Sequence, residues 1–421
     1  MVAALTRLFG LRNLALAEDV VQDALCRALE VWKFSGVPDN PSAWLMAAAR
    51  NRAVDILRRE RTASTYAPEL EHLLSSEGAL ASTVSRLFLE PELRDEQLRL
   101  MFSCCHARIA EETQVALILN ILCGFSAHEV ASAFLVPEGT LEKRLQRGKA
   151  VLADSGSLPE VSSEGRQRER LDAVLRALYL LFNEGYHGSH PAEAVREELC
   201  AEALRLGLLL AEHPSTAAPA THALLALMCL HAGRLPGRLN ARGELLPFAQ
   251  QDRSAWNLAL IHQGIRLLAL SAEGEQVTPY HLEAGIAAEH AMAPSPEQTN
   301  WARIIALYDQ LLELRPSPVV ALNRAISIAQ RDGPRRGLEE LRRIEGQERL
   351  SSYPFYPAAL GELYLQLGKT GEASECFHSA LQIARNPVEA RFFEQRIKAC
   401  AEVKDSSGAG LKGGSTRGPE A

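Results

Sequence analysis

The sequence predicts an all-α protein, and three observations carry that prediction. Apolar residues recur at helical spacing along most of the chain, alternating strand patterns are almost absent, and the C-terminal half repeats a helix-pair pattern. At 421 residues the chain is too long for one core, so two or three domains are expected. Hydrophobic residues make up 47% and charged residues 23%, as in ordinary globular proteins. No run reaches the roughly 18 apolar residues of a membrane helix. The start, Met1-Val2-Ala3-Ala4-Leu5-Thr6-Arg7, lacks the basic-then-apolar form of a secretion signal. The cytoplasm is the expected compartment, with no membrane partner. A net charge of -7 excludes a chain that coats nucleic acid with its whole surface, but leaves room for a local basic face.

Composition divides the chain into a helical block over 1–62, a linker over 63–92, a second block over 93–155, a Ser- and Gly-marked break over 156–165, a long helical stretch over 166–403 and a Gly/Ser-rich tail over 404–421, expected to be disordered. In the first block, the segment from Ala17 to Leu29 is an amphipathic helix. It carries Glu18 and Asp19 in its opening turn, where a helix dipole favours acids, and then Gln22 and Asp23. Trp32 and a loop through Asp39, Asn40 and Pro41 follow. The next helix begins near Ser42, is anchored by Trp44, and concentrates Arg50, Arg52, Arg58, Arg59 and Arg61 against only Asp55 and Glu60. Those arginines and Asn51 suit phosphates and bases, although arginine-rich helix ends also occur as plain solvated faces.

The second block holds a helix-turn-helix pattern. Ser126 caps a first helix with Glu129 three residues on, Val130, Ala131 and Phe134 face inward, and Pro137 suits the start of a second helix. Leu141 and Leu145 share one face of that helix, while Thr140, Lys143, Arg144, Arg147 and Lys149 give it a basic reading side. His128-Glu129 does not continue to a second histidine, because Ser132 stands there, so the zinc-protease pattern fails. A helix pair with a merely solvated basic face is the alternative.

Cys26, Cys104, Cys105, Cys123, Cys200, Cys229, Cys376 and Cys400 form no CxxC pair. The Cys104-Cys105-His106 cluster reads as packing rather than a metal site, since adjacent cysteines on one helix are poorly placed to hold one ion. No metal, cofactor or catalytic constellation is expected, and the chain is not expected to be an enzyme. In the long stretch, Leu360, Gly361, Tyr364, Ala373, Phe377 and Ala380 fall at the spacing of a tetratricopeptide helix pair. Ala325, Ile328, Gly337, Leu341 and Ile344 give a degenerate copy one repeat earlier, and Ile304, Tyr308, Leu311 and Pro316 part of another. An irregular helical bundle is the alternative. Asn183-Glu184-Gly185-Tyr186-His187-Gly188-Ser189-His190 could hold a ligand or metal, or simply end a helix with Asn and Gly. Gln251 to Trp256 reads as a helix start capped by Asp252.

Together the Glu18-Asp19 to Gln22-Asp23 helix, the Asn40-Pro41-Ser42-Ala43-Trp44-Leu45 turn and the Arg50-Asn51-Arg52 run resemble domain two of extracytoplasmic-function sigma factors. The Pro137–Lys149 segment resembles their domain four, with a linker in place of the middle domain. The long stretch, with Leu181-Phe182-Asn183-Glu184-Gly185-Tyr186 near its start, is similar to the subgroup with a tetratricopeptide-like C-terminal extension. The resemblance implies that Glu18, Asp19, Gln22 and Asp23 dock the β′ clamp helices of core RNA polymerase. It implies that Asp39, Asn40, Trp44, Arg50, Asn51, Arg52, Arg58 and Arg59 hold the melted −10 element of promoter DNA. Thr140, Lys143, Arg144, Arg147 and Lys149 would read the −35 duplex while domain four meets the β flap. The extension would regulate activity through contact with the sigma domains. Two departures stand out: the family has roughly twenty further residues ahead of the Glu18 helix, and Glu142 places an acid on the reading helix. The rivals are a helix-turn-helix regulator that needs no polymerase, an enzyme or ligand-binding helical domain fused to a DNA-binding module, and a scaffold built on the repeat array.

Overall fold

The computed structural model of the chain describes residues 1–60, 90–134, 136–155, 164–186, 195–238, 240, 246 and 248–409. Among the described residues the regular structure is helical, without strands. The first part of the tail expected to be disordered, 404–409, instead continues the last helix, Pro387–Ala409; the rest of it lies outside these residues, as do most of the expected linker over 63–92 and the 156–163 part of the break. The chain forms two compact units, one of Met1–Leu181 with Arg205–Thr216 and one of Phe182–Leu204 with the residues from Ala217 onward.

In the first unit, α1 (Val2–Phe9), α2 (Leu14–Ser35) and α3 (Pro41–Glu60) share a core of Leu5, Leu8, Phe9, Ala17, Val20, Ala24, Ala49 and Ala53. Small residues at helical spacing on α2 let its neighbours approach closely. Gly10, at φ 78, turns the chain between α1 and the single 3-10 turn Leu11–Asn13. Buried Leu11 and Leu14 continue the apolar stripe backward, so α2 begins earlier than the acidic pattern suggested. Glu18 and Asp19 therefore lie in its second turn, its first turn holds no acid, and the expected dipole stabilisation does not apply.

Next come α4 (Glu90–Cys104), α5 (Glu111–Leu117), α6 (Ala127–Phe134) and α7 (Glu138–Ser155). Buried Glu96 on α4 meets Arg7 of α1 at 3.8 Å and Arg99 at 3.1 Å. The Gln114 side chain donates to the Ile109 carbonyl at 2.8 Å, tying α5 to the loop after α4. Two further helices, α8 (Glu164–Tyr186) and α9 (Glu197–Glu212), contribute residues to both units.

α8 continues through Asn183 and Gly185 to Tyr186, so those residues do not end it as their types suggested. A Cβ on Gly185 would lie 2.8 Å from the Arg196 carbonyl and from Cys200 Sγ, so close approach of the next segment explains this glycine. His187, Gly188, Ser189 and His190 fall outside the described residues.

The second unit continues through α10 (Pro219–Ala232), α11 (Leu258–Ser271), α12 (Pro279–Met292), α13 (Trp301–Leu314), α14 (Pro318–Asp332), α15 (Pro334–Arg342), α16 (Phe355–Gln366), α17 (Thr370–Gln382) and α18 (Pro387–Ala409), with consecutive helices packed together. Ala373, Phe377 and Ala380 are fully buried, and a Cβ on Gly361 would lie 2.9 Å from the Phe377 ring. One pair earlier, Gly337 has the same role against Ala329. The tetratricopeptide spacing thus falls on helix pairs with small residues at their crossings.

Candidate nucleic-acid and polymerase interface

The helix-turn-helix forms as its residues dictate. The Ser126 amide donates to Glu129 Oε2 at 2.8 Å and the Glu129 amide donates back to Ser126 Oγ at 3.2 Å, a reciprocal capping box. The Pro137 carbonyl accepts from Thr140 at 2.9 Å and opens α7. Leu141, Leu145, Gly148 and Leu152 are the buried face of that helix. Gly148 is required by proximity, since a Cβ there would stand 2.8 Å from a Leu117 methyl group.

The opposite side of α7 leaves Thr140, Lys143 and Arg147 exposed, together with the acid Glu142. Arg144 is half-buried and donates to Glu112 Oε2 at 3.0 Å. Lys149 is also half-buried, with its Nζ 2.7 Å and 3.0 Å from the two carboxylate oxygens of Glu18. The structure therefore brings together two residues that the sequence reading assigned to different partners. With Glu112 exposed, the Arg144 pair is worth about 0–1 kcal/mol, whereas Lys149 and Glu18 are both partly buried, at 31% and 28% side-chain exposure.

On α2, Asp19 and Gln22 are exposed, and Asp23 is exposed with Arg52 Nε at 2.9 Å. Arg50 is half-buried and Asn51 exposed. The side chains of Arg58 and Arg59, and all of Arg61, fall outside the described residues. Asp39 is exposed, and Asn40 Oδ1 accepts from the Ala43 amide at 3.0 Å, which caps α3. Trp44 packs edge-on against Trp32, with centroids 5.4 Å apart.

The end of α2 and the Phe34–Asn40 loop, which the family resemblance makes the holder of a flipped −10 base, carry exposed apolar residues. Leu29 is 74% exposed, Phe34 86% and Val37 67%. The signal was present on α2: Ala17, Val20, Ala24 and Ala28 form the buried stripe, which leaves Leu25 and Leu29 on a second apolar face. Exposed apolar residues this large, close together in sequence, are where a contact surface is to be sought.

The cysteine cluster is inert in this setting. Burial pushes the Cys104 thiol well above its ordinary range and the Cys105 thiol up to about 12, so both stay protonated.

In the second unit, the two polar motifs noted in the sequence contribute to one aromatic and arginine cluster. Asp252 caps only the 3-10 turn Arg253–Ala255, accepting from the Ser254 amide at 2.8 Å, and the helix expected to start there begins instead at Leu258 with Asn257 as its cap. The Arg234 guanidinium lies 4.5 Å from the Phe248 ring centroid, and that of Arg253 lies 4.7 Å from Trp256 and 5.3 Å from Phe248. Arg238 stacks on Tyr186 at 3.8 Å and donates to its carbonyl. His290 stands edge-on to Phe248 at 4.9 Å, and burial followed by the charges of Arg234 and Arg253 lowers its pKa to about 4.

Comparisons with known proteins follow the same divisions. Residues 1–63 match Sigma-70 region 2, residues 99–152 match Sigma-70, region 4, and residues 170–272 match a family of unknown function (DUF6596). An uncharacterized protein of Rhizobium meliloti (strain 1021) is 38% identical over 397 residues, which covers 94% of this chain and 92% of the relative. No solved structure matches the chain.

Proposed function

Because the chain belongs to the sigma-70 family, in its extracytoplasmic-function form with a C-terminal extension, we propose that it loads core RNA polymerase onto a dedicated set of promoters and helps melt them. The supporting observation is that one unit carries both an acidic and apolar face on α2 and a separate helix-turn-helix with Thr140, Lys143 and Arg147 turned outward. A DNA-binding regulator that works without polymerase uses the second feature and leaves the first unexplained.

In this reading Asp19, Gln22, Asp23 and the exposed Leu25 and Leu29 dock the clamp helices of β′. The Phe34–Asn40 loop, beside Trp44, receives a flipped base of the −10 element, and Arg50, Asn51, Arg52, Arg58 and Arg59 follow the backbone. Thr140, Lys143 and Arg147 read the −35 duplex, joined by Arg144 and Lys149 once Glu112 and Glu18 release them. Region four rests on the β flap, the work takes place in the cytoplasm, and no step needs covalent chemistry from the factor. The sigma parts occupy 1–62 and 93–155, and 166–403 forms the regulatory extension.

Polymerase binding tests this reading. The chain should form a stable complex with core polymerase, and a double variant Gln22→Ala, Leu29→Asp should lose it at least about tenfold, a loss of about 1.4 kcal/mol. Equal complex formation by the double variant would remove α2 from the interface.

A further inference from the structure

We propose that the aromatic and arginine cluster of the second unit is a binding site for a small organic anion, whose phosphate or carboxylate group is taken by Arg234 and Arg253 and whose body lies against Phe248 and Trp256. This site is additional to the polymerase and promoter surfaces, and its occupancy by a ligand does not depend on them.

Charge comes first. Arg234 is 8% exposed, and among the described residues no carboxylate forms a salt bridge with it or with Arg253. The acid acting on Arg253 is Glu297, at longer range, and the charges of Arg238 and Arg253 both oppose Arg234. A buried guanidinium normally has an anion against it, because stacking on aromatic rings returns less than the lost hydration costs.

Geometry comes second. Arg253 Nη1 donates to the carbonyls of His290 at 3.1 Å and Ala293 at 2.5 Å, and Arg234 Nη2 donates to Gln251 Oε1 at 3.3 Å. These bonds hold both guanidinium planes in place. What they leave over is a set of buried nitrogens with no hydrogen-bond partner: Arg234 Nε, Arg253 Nη2, Trp256 Nε1 and His290 Nδ1. All four belong to side chains that stack on or around the Phe248 ring. Oxygens of a phosphate or carboxylate are the acceptors that the Arg234, Arg253 and Trp256 donors lack, and His290 Nδ1 can join them in the tautomer that carries its proton there; arginine forks match such oxygens in shape.

Access and size come third. The unsatisfied atoms are shielded from solvent and Phe248 is half-buried, so the proposed ligand is a small anion and not a polymer backbone. The cluster draws on Arg234, Arg253 and Trp256, within the stretch that matches the family of unknown function, and on His290 beyond it.

Calorimetric titration of the full chain, with inorganic phosphate and with citrate as separate probes at ionic strength matched with chloride, tests the proposal. One saturable site per chain is expected, and the stronger probe tells which oxyanion the site prefers. Arg253→Gln, at the more accessible guanidinium, should keep the wild-type circular dichroism and weaken binding at least about tenfold. Absence of saturable binding to both probes by the folded wild-type chain would overturn the proposal. Undiminished binding by a folded Arg253→Gln variant would do so equally.

Discussion

Arg144 and Lys149, assigned to DNA reading in the proposed function, each already face a carboxylate, Glu112 at 3.0 Å and Glu18 at 2.7 Å. The Arg144–Glu112 pair, with Glu112 exposed, contributes little to stability, so in the proposed function its main effect is on competition with phosphate. Glu112→Gln should raise affinity for a −35 duplex by up to about fivefold and leave the melting temperature almost unchanged. A fluorescence anisotropy titration checks this, and weaker binding by the variant would count against Arg144 as a DNA contact. His290 makes a different residue-scale prediction. Its folded pKa of about 4 lies below the ordinary 6.5, so the unfolded chain takes up the proton first as pH falls. The neutral imidazole's contribution is complete above about pH 6.5 and is lost progressively toward pH 4. Denaturant melts in buffer without polyvalent anions should show His290→Gln flattening the pH dependence over that window, by roughly 3 kcal/mol at most. An unchanged slope would contradict the burial argument. The four unsatisfied nitrogens around Phe248 were not legible in the sequence, because their meeting depends on chain segments far apart. Only the polar Gln251–Trp256 stretch hinted at them.

At the scale of elements, helix pairs were the most legible feature. Gly361 and Phe377 lie on successive helices at tetratricopeptide spacing, and the structure places the ring against the space a Cβ would need. Gly361→Ala should therefore destabilise the extension by about 1–3 kcal/mol, read as a lower denaturation midpoint of the full chain. A change within about 0.5 kcal/mol would mean that the α16–α17 crossing yields easily. The helix-turn-helix was legible for similar reasons, since Ser126, Glu129 and Pro137 each have local jobs that need no distant partner. The start of α2 was not. Acids at Glu18 and Asp19 imitate an N-terminal turn, and only the buried Leu11 and Leu14 reveal the earlier beginning. The role of Gly185 was hidden likewise, because close packing against Arg196 and Cys200 is invisible until the next helix is in place.

At the scale of the whole molecule, the first compact unit includes more than the two sigma regions. Within it, Arg94 of α4 pairs with Glu212 of α9 at 2.9 Å, Arg205 donates to Gln97 at 3.3 Å, and Arg176 of α8 pairs with Glu111 of α5. Helices expected to open a separate extension therefore also line the region that carries the helix-turn-helix. Charge and composition could not show this, because these contacts join residues about a hundred positions apart in most cases. Among the described residues no helix is long and apolar enough to cross a membrane. In the proposed function this chain converts core polymerase into a promoter-specific enzyme. Run-off transcription with purified core polymerase, the full chain and a pool of genomic promoter fragments tests it most directly. Defined transcripts that start at a shared −35 and −10 pattern, and that disappear with Lys143→Ala plus Arg147→Ala, are the predicted result. Core polymerase that yields no specific transcript with the folded chain present, from any fragment, would contradict it.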